Sequence, residues 1–267
     1  MSLLSSWKGD ASRLGKVELY IKALSIVPYL SIRLHSMIFQ LNFDEIYNSI
    51  ITSINKITIA CQDLRNSDKF VRLLGIILEI GNSLNKGTNK GGAKGIQLSS
   101  LMKLTQTRTN SGATLLEYIV VHIKKKCPDL LKLDDDLESL DSATKVSLET
   151  IRLDVNKMKI GCTNIMNGIE LDQKENNSQL FHDAMNTFLQ RANHLKEDVI
   201  TQINNVDHEF ESLCSYFAAP PPPATSPDTF FELVNSFVKT FSSTVKQVDE
   251  KIVSFFHFQF LSTVSIF

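Results

Sequence analysis

Two long stretches of this chain repeat apolar residues at alternating steps of three and four. The first aligns Leu137, Leu140, Thr144, Leu148, Ile151, Val155, Met158, Cys162, Ile165 and Ile169. The second aligns Phe181, Met185, Phe188, Ala192, Leu195, Val199, Ile203, Val206, Phe210, Leu213 and Phe217. This spacing holds side chains on one helical face over many turns and cannot serve the two-residue period of a strand. The mixture of Cys, Thr, Ala and Phe along the stripes suits an antiparallel helical pair better than a uniform parallel zipper. Dimerisation through a coiled coil is the competing reading.

The remainder also reads as helical. Leu14, Val17, Tyr20, Ile21 and Leu24 share a face. Pro28 suits the first turn of a second helix ending near Gln40, and Phe43 to Cys61 marks a longer, Ile-rich third. Phe70 to Ile80 is apolar almost all round, which predicts a helix enclosed by others. Leu115, Leu116, Ile119, Val120 and Ile123 form the face of a helix with Lys124, Lys125 and Lys126 at its C-terminal end, where cations complement the dipole. Pro220 to Pro223 end the second long stripe, and Ser226 and Pro227 start a last helix carrying Phe230, Leu233, Val234, Phe237, Val238, Phe241, Val245 and Val248. From Ile252 to Phe267 the chain turns apolar, β-leaning and almost uncharged, a divergent tail too short, and too interrupted by His257 and Gln259, to predict a membrane span.

The totals narrow the function. A 267-residue chain that is 43% hydrophobic can bury a substantial core, in one elongated domain or two compact ones. Its 28 Lys and Arg nearly cancel its 29 Asp and Glu, so bulk charge does not point to nucleic acid. Cys61, Cys127, Cys162 and Cys214 are too scattered for a metal or disulfide framework and read as reduced, mostly buried thiols. The six His form no HExxH, and no GxSxG or HRD-type motif occurs, so no catalytic residue is assigned. Asp134, Asp135 and Asp136 read as negative charge at a helix start rather than a metal site.

Two loops stand out. Gly81, Asn82, Asn85 and Gly87 close a helix, with Asn85 and Gly87 able to take the left-handed conformation that stops one. Gly81 inside that helix costs about 1 kcal/mol against alanine, which points to a chain passing close to its backbone. Asn82 and Asn85 share a face from which their amides could bond a visiting loop. Gly87, Gly91, Gly92 and Gly95 alternate with Lys86, Lys90 and Lys94, but without GxxxxGK[ST] after a strand they form no phosphate cradle; a basic, mobile loop touching an acidic partner fits better. Lys103 and Arg108 sit in a second exposed, threonine-rich segment, where the bland alternative is a solvated loop.

The run GNSLNKGTNKGGAKGIQLSSLMKLTQTR resembles the formin homology 2 signature, in which a GN-x-x-N helix end leads into G-x-x-x-G-x-A-x-G-x-x-L-x-x-L-x-K-L-x-x-T-[KR]. Gly81, Asn82, Asn85, Gly87, Gly91, Ala93, Gly95, Leu98, Leu101, Lys103, Leu104, Thr107 and Arg108 supply it, and similar stretches flank it from Trp7 to Val248. The resemblance implies an all-α, elongated domain with knob-like, long antiparallel coiled-coil and post-like parts. In such domains the lasso of one subunit wraps the post of another, and knob and basic segment contact actin. It implies an actin-binding role for Lys103 and Arg108, and a lasso-docking surface built from Gly81, Asn82, Asn85, Gly87, Gly91 and Gly95. The partners implied are actin and a second subunit supplying a lasso, in the cytoplasm at the cytoskeleton, with no nucleic acid, membrane, cofactor, metal or catalysis.

Within the resemblance, Trp7 to Asp10 align inside the knob, so residues 1–250 are expected to be a partial domain without lasso, linker and early knob, followed by the divergent tail at 251–267. A monomer, or weak association through apolar surface, and weak actin binding without processive end tracking are then expected. The rival expectation is a coiled-coil adaptor that binds a partner helix without actin activity.

Overall fold

The computed structural model describes residues 14–110, 112–174 and 179–264, with side chains at 14–110, 112–173 and 179–253. The expectation for Trp7 to Asp10 falls outside these residues. The helices are α1 (Lys16–Ser25), α2 (Leu30–Asn66), α3 (Asp68–Leu84), α4 (Leu115–Lys126), α5 (Leu140–Ala143), α6 (Leu148–Lys174), α7 (Gln179–Tyr216) and α8 (Pro227–Val264). Short 3-10 segments span Leu98–Thr105, Pro128–Lys132 and Asp134–Asp136. No strand forms among the described residues; one isolated antiparallel bridge joins Arg108 and Thr114. The fold is all-α.

Several boundaries differ from the sequence reading. The second and third helices are one, α2, because nothing between Gln40 and Phe43 breaks the backbone ladder. Pro28 lies in the turn before α2, where Tyr29 takes a positive φ of 50° and accepts the first helical bond from the Arg33 N–H. The first long stripe is interrupted: α5 ends at Ala143 and α6 starts at Leu148. The Thr144–Ser147 stretch is a poor helix interior, and its serine favours the start of the next helix instead. The β-leaning tail is instead helical through Val264, an extension of α8.

The chain forms two compact units. One comprises residues 1–52 and 149–204. Here the stripes of α6 and α7 are buried: Ile151, Val155, Met158, Cys162, Ile165 and Ile169 from α6, Phe181, Met185, Phe188, Ala192, Val199 and Ile203 from α7. Phe188 meets Phe39 and Phe43 edge-on, at centroid distances of 6.1 and 5.2 Å. Gly161 and Gly168 let α2 approach: a Cβ on Gly161 would lie 2.2 Å from the Phe39 ring, and one on Gly168 2.7 Å from Ile32. The fully buried Asp172 carboxylate lies 2.5 Å from the Arg33 guanidinium and 2.7 Å from His182 Nε2. The α1 stripe is not buried; Val17 and Tyr20 are each 68% exposed.

The other unit comprises residues 53–148 and 205–267. Its core joins Leu64, Phe70, Leu73, Leu101, Leu116, Ile119, Val120, Ile123, Phe210, Phe231, Phe237 and Phe241. The α8 helix packs on α4 and α5. Asp134, Asp135 and Asp136 do lie in the first turn of a helix, the short 3-10 segment, and Asp136 also takes an ion pair from Lys69 at 2.6 Å. Cys61, Cys162 and Cys214 are buried and Cys127 half-buried, all free; burial, with Glu209 and Cys214 nearby, pushes the Cys61 thiol up to about 12.

Candidate functional site

Both singled-out loops belong to the second unit, and the first of them closes the C-terminal end of α3. The Ser67 hydroxyl caps that helix by accepting from the Phe70 N–H at 3.2 Å. Only Phe70, Leu73 and Ile77 are buried along it. Enclosure on all sides is therefore not what the structure has: Val71 and Leu84 are exposed, and Leu74, Leu78 and Gly81 half-buried. Apart from the backbone of α3 itself, no atom of the described residues lies within 4 Å of where a Cβ would stand on Gly75 or Gly81. Val71, Leu74, Gly75 and Leu78 share one side of α3, beside the stripe of Phe70, Leu73 and Ile77, whereas Gly81 and Leu84 continue that stripe past its packed part; both stretches leave room for a chain to approach the backbone.

The glycine-rich loop is held by its own hydrogen bonds rather than hanging free. The Asn85 carbonyl accepts from the Thr88 N–H at 3.0 Å and from the Thr88 hydroxyl at 2.8 Å. The Thr88 carbonyl accepts from the Gly91 N–H at 3.2 Å. Gly87 and Gly92 take positive φ of 83° and 73°, whereas Asn85 sits at −92° and is not left-handed. Gly91 is needed for space, since its Cβ would lie 2.6 Å from the Asn85 carbonyl oxygen. Gly95 has neither constraint.

Asn82 closes the loop. Its Nδ2 donates to the Ala93 carbonyl at 2.8 Å, and its Oδ1 accepts from the Ala93 N–H at 2.7 Å. The amide pictured as reaching a visiting loop is directed at the protein's own. Lys86, Lys90 and Lys94 are exposed around this frame.

The 3-10 segment follows, burying Leu98, Leu101 and Leu104 at the three-residue period of that helix. Lys103 is on its exposed side. Its carbonyl accepts from the Gln106 and Thr107 N–H groups at 3.1 and 3.0 Å, turning the chain toward Arg108. Backbone bonds from Thr109 N–H to the Ala113 carbonyl and from Leu115 N–H to the Thr107 carbonyl, both 2.8 Å, make the bend a small closed hairpin. The exposed Arg108 donates to the Gly112 carbonyl at 2.8 Å and forms no ion pair among the described residues. A capping box then starts α4: the Thr114 hydroxyl accepts from the Glu117 N–H, and the Glu117 carboxylate accepts from the Thr114 N–H at 2.6 Å.

Glu117 also takes a bond from Lys251 on α8, and these donors hold its carboxyl below the usual carboxylate range. Lys239 and Lys145 both donate to Asp141, which is likewise held down. The bend therefore faces α8 across a groove of about 790 Å³, with Arg108 on one wall and Lys239 and Lys251 on the other. The sequence reading missed the α8 wall, although T-L-L-E at 114–117 carried the capping signal. Among the described residues no cluster of His, Cys, Asp or Glu could hold a metal, and no helix is long and apolar enough to cross a membrane.

Residues 1–242 match the Formin Homology 2 Domain family. Formin-like protein 13 of Arabidopsis thaliana is 29% identical over 244 residues, covering 91% of this chain and 19% of that protein. Protein diaphanous homolog 3 of Homo sapiens is 31% identical over 258 residues, covering 92% and 21%. Formin-F of Dictyostelium discoideum is 29% identical over 239 residues, covering 89% and 19%. The chain thus spans about a fifth of the length of these relatives.

Proposed function

The chain belongs to the Formin Homology 2 family, and from that premise we propose that it binds actin at filament barbed ends and serves filament assembly. The observation that carries this reading is the Lys103–Arg108 bend: two exposed cations on a backbone closed by its own hydrogen bonds. A surface of that kind presents charge without the entropy cost of ordering a loose loop on contact. The open face of α3 around Gly81 supports a second contact, with the lasso of another subunit. Two bridges of this kind would hold actin subunits in filament-like arrangement and offset the unfavourable entropy of nucleation.

The test is filament co-sedimentation and barbed-end capping with the 267-residue chain and its Lys103→Ala/Arg108→Ala variant. Loss of actin affinity with an unchanged circular dichroism spectrum is expected. Equal affinity of variant and parent would defeat the reading and favour an adaptor without actin activity.

A further inference from the structure

The groove beside Arg108 has a second wall that the family signature does not include. We propose that the exposed face of α8 carrying Lys239, Ser243, Gln247 and Lys251 is an additional binding surface for an acidic segment of the same filament partner, which lies along the groove and meets Arg108 from the opposite side. The proposal rests on the reading that the bend binds actin.

Charge selects the occupant. Arg108 has no carboxylate among the described residues. Lys239 shares Asp141 with Lys145, so one carboxylate serves two lysines. Lys251 is matched by Glu117 alone. The surroundings of the groove thus keep two uncompensated positive charges. Both α8 lysines are solvent-facing, with side chains 62% and 69% exposed, and can turn toward an incoming carboxylate. Ser243 and Gln247 line the same stretch with their polar groups not engaged by the described residues. A cationic groove with free donors attracts an acidic chain and disfavours a basic or apolar one.

The experiment measures filament binding of the 267-residue chain across a series of salt concentrations. Gln247→Lys breaks no native pair and adds a cation inside the groove; about two- to fivefold tighter binding and a steeper salt dependence are expected, the range for one exposed ion pair. Lys239→Gln/Lys251→Gln should weaken binding about two- to tenfold and flatten that dependence. If Gln247→Lys and the lysine pair both leave affinity unchanged while Lys103→Ala/Arg108→Ala abolishes it, the groove is refuted and the bend survives. If Lys103→Ala/Arg108→Ala binds as the parent does, or the parent does not bind, the reading of the bend falls and the groove with it.

Discussion

Asn82 invites the most direct test of how the site is held. Asn82→Ala removes two hydrogen bonds, of 2.8 and 2.7 Å, that tie the end of α3 to Ala93. A neutral hydrogen bond contributes about 0.5–1.5 kcal/mol net, and because these atoms are not deeply buried water recovers part of that. The local loss is therefore about 1–2 kcal/mol. One factor of ten in an opening equilibrium corresponds to about 1.4 kcal/mol, so the Ala93 amide should exchange with solvent about 5- to 30-fold faster. Global stability in urea should move much less, because the buried residues of α3 are Phe70, Leu73 and Ile77, a turn or more away. Asn82→Asp separates the two bonds: the carboxylate still accepts from the Ala93 N–H but faces the Ala93 carbonyl without a donor. Its Ala93 amide should exchange at a rate between those of parent and alanine variant. Native-state hydrogen exchange read at Ala93 decides the matter. Unchanged exchange in Asn82→Ala would mean that the loop is held by something other than this amide.

Three further outcomes are expected. Gly87→Ala and Gly92→Ala, each forced into a positive φ with free space around it, should each cost about 1–2 kcal/mol by urea unfolding, while Gly95→Ala should be near neutral. Asp172→Ala leaves the mostly buried Arg33 unpaired and should destabilise by about 3–5 kcal/mol, seen as a lower urea midpoint. The carboxyl of Glu117 is held below its ordinary value, chiefly by Lys251 and then by the Thr114 N–H. Its stabilising contribution is complete above the unfolded value of about 4.3 and is lost as pH falls through the lower folded value, so Glu117→Gln should flatten the loss of stability below pH 4 in thermal melts.

Much of the helical plan was legible because burial writes a period into sequence. The α7 stripe from Phe181 to Leu213 is buried almost as read, and so are Ile151 to Ile169 on α6. What failed was punctuation. The junction at Gln40–Phe43 looked like a gap between two apolar patterns, yet a helix continues unless Pro, Gly or a cap stops it, and none is there. At Thr144–Ser147 the stripe ran on while the backbone did not, because the period registers a face and is blind to a turn that preserves it. In the loops, the left-handed turn at Gly87 and the exposure of Arg108 were legible from residue type alone. Asn82 was not, since a side-chain amide has the same donors and acceptors for its own loop as for a visitor. The α8 wall was invisible because Arg108 and Lys239 are distant in sequence and only the packing of α8 on α4 sets them across one groove.

The α3 segment shows why a partly exposed helix can pass for core. Its sequence, FVRLLGIILEI, has the composition of a helix buried on every side. Apolar side chains report only that some surface covers them, either in the same chain or in another. The glycines separate the two cases. Inside a packed core a glycine marks a neighbour that leaves no room, as at Gly161, where a Cβ would strike the Phe39 ring. Gly75 and Gly81 have no such neighbour, and they lie beside half-buried Leu74 and Leu78 and exposed Val71. A helix that accepts the cost of two unpacked glycines, about 1 kcal/mol each against alanine, gains nothing from them within its own fold. Under the reading proposed above, that open side of α3 is where a chain from outside would approach, next to Asn82 and its loop.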